Sequence, residues 1–365
     1  MGIGPATCSF LARNLMPRLF QTTISCIFIN RFTRAGDIVC DPFMGRGTTP
    51  LEAALLGRIA VGIDANPLGE MLVRARLNPP QISEVASRLQ TIPWDFPAFQ
   101  RNDLQAFYHP DTLYKISALR EYFFERQSTQ KLDSVDEWIR LVALNRLSGH
   151  SAGFFSVRTM PPNQAVPVER QLEINARHNQ YPPSRDVPAL ILKKSSALLR
   201  HLNTLKLYDL RKISSFHKIT TGLAEKMDHL NDNSVNLVVT SPPFLDVVNY
   251  RKDNWLRCWF AGISPENIPK LTSSPSVWSG QIGNALQEMV RIVKPGGHIA
   301  MEVGEVKKGQ IKMEDLVLEA GKRQGLDQAQ IFINVQKFTK TSHCWGIQNN
   351  TKGTNTNRIV LFSVK

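Results

Sequence analysis

Asp41-Pro-Phe-Met-Gly-Arg-Gly-Thr-Thr49 joins two different kinds of sequence. On its N-terminal side Ile38-Val-Cys40 is a short apolar run ending at Asp41, the pattern of a buried strand. On its C-terminal side the apolar spacing turns helical through Leu56, with Pro50 tolerated in the first turn and Gly57 as the stop. Gly45 and Gly47 lie in the turn, where glycine permits a tight reversal and lets a ligand approach the backbone. A second buried strand, Ile59-Ala-Val-Gly-Ile63, ends at Asp64, 17 residues beyond Gly47. Pro67 to Leu77 then reads as a helix that Asn78-Pro-Pro80 stops. Strand, helix, strand, helix predicts an α/β chain with a parallel sheet.

The composition of the loop narrows its ligand. A phosphate loop needs Gly-Lys-Ser/Thr, and Thr48 follows Gly47 with no lysine between. A dinucleotide fold prefers a third glycine where this chain has Pro50. A carboxylate at the end of the next strand, Asp64, suits ribose hydroxyls. The combination predicts a nucleoside ligand without pyrophosphate, such as S-adenosylmethionine, at Asp41, Gly45, Gly47, Thr48 and Asp64.

The alternation resumes after a long interval. Ile219–Thr221 and the stronger Leu237-Val-Val239 read as strands, the second running into Thr240-Ser-Pro-Pro-Phe244. Helices are expected near 281–292 and 312–324. Strands are expected at His298–Val303, Ile331–Gln336 and Arg358–Ser363. Tandem prolines stiffen the backbone and remove two donors, leaving an acceptor-rich loop. Such a loop suits an exocyclic base amine, a poor nucleophile whose lone pair delocalises into the ring. Acceptance of its two hydrogens by the Ser241 oxygen and the Pro242 carbonyl turns lone-pair density toward a methyl donor. Phe244 is placed to stack on the base, which must leave a duplex first. The sequence contains no Pro-Cys pair, which disfavours covalent attack on a pyrimidine ring carbon.

Between the two halves, residues 79–215 read as helical stretches, such as 111–126 and 134–147, mixed with proline-rich pieces. Residues 185–218 carry eight Lys or Arg against Asp186 and Asp209. The expected organisation is a catalytic domain in two parts, 1–78 and 216–365, with 79–215 as an inserted second module; Arg158 and Arg185 are its candidates for DNA contact. The whole chain of 365 residues has 44 Lys and Arg against 31 Asp and Glu, a net charge of +13 that favours a polyanionic partner. Its five cysteines are widely scattered, which fits a reducing cytoplasm and gives no metal-ligand spacing. No segment reaches 18 consecutive apolar residues, so no membrane span is expected.

The two loops together resemble those of the amino-methylating DNA methyltransferases, the N4-cytosine and N6-adenine family. Asp41–Thr49 is similar to that family's cofactor motif and Thr240–Phe244 to its catalytic motif. Lys294-Pro-Gly-Gly297 is similar to the turn before the fifth strand, and Asn357–Leu361 to a late strand of the family. The resemblance implies a Rossmann-like methyltransferase sheet, S-adenosylmethionine as donor, duplex DNA as partner and residues 79–215 as the target-recognition region; a cognate restriction endonuclease acting on the same site and a solitary epigenetic mark are the two settings it leaves open. Phe43 matches the position that packs on the cofactor, Asp64 the ribose-binding acid, and Ser241, Pro242, Pro243 and Phe244 the target-amine loop. Ser-Pro-Pro with an aromatic is commoner in the N4-cytosine branch, Asp-Pro-Pro-Tyr in the N6-adenine branch. The sequence departs from the pattern at Thr221-Gly-Leu-Ala-Glu225, where the third strand ends without an acid. Glu225 and Asn66 remain as candidates for the adenine contact. An RNA amine as substrate, and a non-catalytic nucleic-acid-binding role, stay open alternatives.

Overall fold

The computed structural model describes residues 22–95, 101–159, 165–243, 250–268, 274–306, 311–335 and 356–365. The chain opens with helix α1 (Thr22–Phe32), strand β1 (Ile38–Asp41), α2 (Thr48–Leu55), β2 (Ile59–Asp64) and α3 (Pro67–Leu77). Next come α4 (Ile82–Thr91), α5 (Pro110–Ser128), α6 (Ser134–Leu144), α7 (Val168–Arg177), α8 (Val187–Leu199) and α9 (Thr204–Ile213). The sheet resumes with β3 (Lys218–Thr221) and β4 (Val235–Thr240), then α10 (Tyr250–Ala261), α11 (Pro275–Ile292) and β5 (Val293–Val303). After a short ribbon at Glu305–Val306 and Ile311–Lys312, α12 (Met313–Arg323), β6 (Ala329–Val335) and β7 (Thr356–Ser363) close the fold.

The main sheet has the order β3-β2-β1-β4-β5-β7-β6. Strands β1 to β5 pair in parallel, and β7 runs antiparallel between β5 and β6. The order reverses between β1 and β4, and at such a switch point diverging connections leave a crevice beyond the strand ends. This is the α/β Rossmann-like sheet that the sequence predicts.

Alternate residues of each central strand serve opposite layers. Val39, Leu237, Val239 and Ala300 face a core with α1, α2 and α3, while Cys40, Val238, Ile299 and Met301 face one with α11 and α12. Burial on both faces explains why these strands read as unbroken apolar runs. The segment 79–215 enters the connection from β2 to β3, as the sequence indicates. Its buried residues Leu104, Phe107, Trp138 and Ile139 belong to the same continuous core as Val39 and Leu51.

The turn read at Lys294–Gly297 is a bulge within β5. Val235 pairs with Val293 and Leu237 with His298, so β5 loops out of register there. Gly296 has φ +78°, and a Cβ on Gly297 would meet Val293 Cγ1 at 2.6 Å and Asn236 O at 2.9 Å. The two glycines are needed for these separate reasons. No helix among the described residues is long and apolar enough to cross a membrane.

Candidate active site at the ends of β1 and β4

The glycine loop leaves β1 at Asp41 and enters α2 at Gly47. Gly45 and Gly47 have φ +50° and +77°, the left-handed region that side chains disfavour. Their surroundings differ. A Cβ on Gly47 would lie 2.3 Å from Val73 Cγ2, whereas one on Gly45 would meet nothing nearer than Phe43 O at 4.0 Å. The loop is therefore packed tightly against α3 on one side and open on the other. Met44 N donates to Ile63 O at 3.0 Å and Gly45 N to Asp64 Oδ2 at 2.7 Å, which ties the loop to the end of β2.

Two carboxylates stand at these strand ends. Asp41 Oδ1 accepts from Phe43 N at 3.1 Å and from Thr240 Oγ1 at 2.6 Å. Burial pushes the Asp41 carboxyl up to about 7, with the charge of Asp64 adding to it and the two donors opposing. Burial also raises Asp64, against the hydrogen bonds from Asn66 N and Gly45 N. Asn66 uses its side-chain oxygen to cap α3 through Leu68 N at 3.1 Å. Phe43 is half-buried against the core on the α11 side, and Thr48 begins α2.

The Ser-Pro-Pro loop follows β4, which pairs with β1 through Val39–Leu237 and Cys40–Val238. Ser241 and Pro243 are half-buried and Pro242 is buried. No hydrogen bond to the Ser241 hydroxyl occurs among the described residues. The indole Nε1 of Trp278, on α11, donates to the Pro243 carbonyl at 2.9 Å. Phe244 lies outside the described residues. The structure thus brings Asp41, Gly45, Asp64, Ser241 and Pro242 to one end of adjacent strands.

Other residues near the loops were not legible as a group in the sequence. Glu70 of α3 accepts from Thr221 N at 2.9 Å and Thr221 Oγ1 at 2.7 Å, so an acid does stand at the end of β3, supplied by a helix. Glu225 lies apart, in a shallow depression with Leu223, Asn284 and Glu288. Arg76, buried in α3, donates through Nη1 to the Arg46 carbonyl at 2.6 Å. Burial, with Arg46 nearby, lowers Arg76 to about 9, and the same two causes lower Arg257 of α10 to about 10. These arginines stand near the glycine loop, beside the strand-end carboxylates of Asp41 and Asp64. Helical spacing could place Glu70 and Arg76 on α3, but carries no sign that they reach Thr221 and Arg46.

In the helical segment, Arg158 is exposed and its carbonyl accepts from the Gln171 and Gln180 amides. Arg185 N donates to Thr112 Oγ1 at 2.8 Å, and its buried Nε has no partner among the described residues.

Residues 26–68 match the profile of a family described as DNA methylase, which spans the glycine loop, Asp64 and Asn66. The chain is 24% identical over 269 residues to the type II methyltransferase M.BsoBI of Geobacillus stearothermophilus, covering 65% of this chain and 49% of that protein. It is 38% identical over 50 residues to the type II methyltransferase M.MjaII of Methanocaldococcus jannaschii, covering 14% of this chain and 9% of that protein. The chain thus spans about half the length of the first relative and far less of the second. An rRNA methylase structure from Streptococcus thermophilus aligns over 96% of this chain and 100% of that one at 10% identity, with a TM-score of 0.35, too loose to bear on the fold. The profile match and the first relative make this chain similar to DNA methylases and type II methyltransferases.

Proposed function

We propose that this protein transfers a methyl group from S-adenosylmethionine to an exocyclic amine in duplex DNA, with cytosine N4 as the acceptor. The observation that carries this proposal is the 2.6 Å bond from Thr240 to Asp41, which joins the start of the amine loop to the start of the glycine loop. A donor held by one loop and an acceptor held by the other would meet at the switch point.

The residues present fit the cofactor. Open space over Gly45 admits a ligand to the backbone, and the carboxylates of Asp64 and Asp41 stand at the strand ends beside it. Phe43, Gly45, Thr48, Asp64 and Asn66 would hold it, with Gly47 shaping the turn. When bound, it supplies an electrophilic methyl group on a sulfonium.

The chain's own contribution is to orient the amine and exclude water. The Ser241 hydroxyl has no described protein partner and is available to accept one amine hydrogen, with the Pro242 carbonyl accepting the other. Both acceptors withdraw the amine's hydrogens from one face and leave its lone pair toward the donor. Phe244 would stack on a base extruded from the duplex. Arg46, Arg76 and Arg257 favour approach of the phosphate backbone. Ser241, where the resembling adenine enzymes usually carry aspartate, supports cytosine. Within this proposal, residues 79–215 recognise the target and a cognate endonuclease reads the same site.

Nucleoside mass spectrometry of duplex DNA incubated with the protein and S-adenosylmethionine tests the assignment. N4-methylcytosine is expected. N6-methyladenine alone would move the acceptor to adenine, and no methylated base would overturn the proposal. Ser241→Ala should keep DNA binding and lose most turnover; unchanged turnover would rule out the amine contact.

A further inference from the structure

The amine loop is fixed at both ends by buried side chains from different parts of the fold. At its start, Thr240 is 2% exposed and donates to Asp41, itself 5% exposed. At its end, the Pro243 carbonyl accepts from the indole of Trp278, which is 4% exposed and packed in the core beneath α11. Between the two anchors lies only Ser241-Pro242. Proline gives this stretch little backbone freedom, and Pro243 restricts the residue before it.

We propose that Thr240 and Trp278 are positioning residues that clamp Ser241-Pro242 in register with the glycine loop. This inference rests on the amine-methylation proposal for its functional consequence, though the clamp itself is a property of the loop. The two anchors have distinct effects. Thr240–Asp41 sets the loop relative to the donor side, because Asp41 also receives Phe43 N from the glycine loop. Trp278–Pro243 engages one lone pair of the Pro243 carbonyl and so fixes the direction in which the end of the loop points. A buried indole N–H needs a partner, and here the partner is the loop. Misplacing an acceptor by about 1 Å costs on the order of a hundredfold in rate, so small losses of register should be visible.

The test uses the full-length protein in four variants. Thr240→Val keeps the shape and removes the hydroxyl, whereas Thr240→Ser retains it. Trp278→Phe removes the indole donor. Trp138→Phe is the control, since Trp138 is fully buried and donates to Ser195 Oγ, far along the chain in the helical segment. Single-turnover methyl transfer is measured with cofactor and DNA saturating, alongside their Kd values by calorimetry. Thr240→Val and Trp278→Phe should each slow transfer about ten- to a hundredfold with both Kd values nearly unchanged. Thr240→Ser should recover most of the rate, and Trp138→Phe should keep it. Unaltered rates in both anchor variants, or losses confined to cofactor Kd, would overturn the clamp.

A separate measurement stands apart from activity. The Trp278 indole proton, followed by nitrogen-15 labelling of tryptophan, should exchange slowly with solvent in the wild-type protein. Fast exchange would overturn the anchor whatever the protein methylates. A protected indole in a protein that methylates no DNA would instead retain the clamp and overturn the proposed substrate.

Discussion

Asp41 holds a charge where the fold disfavours one. Its carboxyl is pushed up to about 7, chiefly by burial, from an ordinary value of 3.8. Between these values the folded chain keeps a proton that the unfolded chain releases, so this group lowers stability as pH rises from about 4 to about 7. Asp41→Asn keeps an oxygen for Thr240 and Phe43 and removes the charge. Its melting temperature should exceed the wild-type value at pH 8, with the advantage shrinking as pH falls toward 4. Calorimetric melts across that range check this, and a pH-independent difference would contradict it. At the same scale, Asp41, Gly45, Gly47 and Asp64 were legible because strand ends and glycines mark their positions in any α/β sequence. The anchoring contacts of Thr240, which heads the amine loop, and of Trp278 were not, because a threonine ending a strand and a tryptophan near a helix start carry no sign of a distant partner. Their partners lie 199 and 35 positions away along the chain.

Strand β3, at the sheet edge, is short and depends on its neighbours. His217, just before it, accepts from Ala60 N through Nδ1 at 3.0 Å, which requires a neutral ring. Burial lowers its pKa to about 4 from an ordinary 6.5. Between those values the unfolded chain takes up a proton that the folded chain refuses, so stability is lost as pH falls through this window. In His217→Gln, the slope of stability against pH from about 6.5 to about 4 should be shallower by about one proton. Denaturant titrations at several pH values measure that slope, and equal slopes would remove His217 as its source. Strands β1, β2 and β4 were readable from apolar runs, because burial on both faces leaves no polar alternation. The extent of β5 was not, since Lys294-Pro-Gly-Gly297 reads locally as a turn and becomes strand only by pairing beside β4 and β7.

The molecule as a whole is stitched through its long insertion. Asp136 is fully buried at the start of α6, where it receives Arg88 of α4, Arg126 of α5 and the Tyr122 hydroxyl at 3.0 Å. Its removal would leave partly exposed Arg88 and Arg126 with Asp133 as their remaining carboxylate, a loss on the order of 2–3 kcal/mol. Because the helical segment and the sheet share one apolar core, Asp136→Ala should lower a single unfolding transition and not split it. Circular dichroism melts, with cofactor binding followed in parallel, would show this; two separate transitions would mean that 79–215 folds apart from the sheet.

By itself the sequence determined the α/β alternation, the two motif loops and the basic balance of the chain, because all three are local or additive properties. It also located the insertion before the third strand. Only the tertiary structure decided that β1 and β4 are neighbours and that Asp41 receives Thr240. It also decided that Glu70 supplies the acid at β3 and that Trp278 takes the Pro243 carbonyl. Those pairings depend on strand order and on which helix covers which face, and residues distant in sequence acquire them only once the apolar faces are buried together.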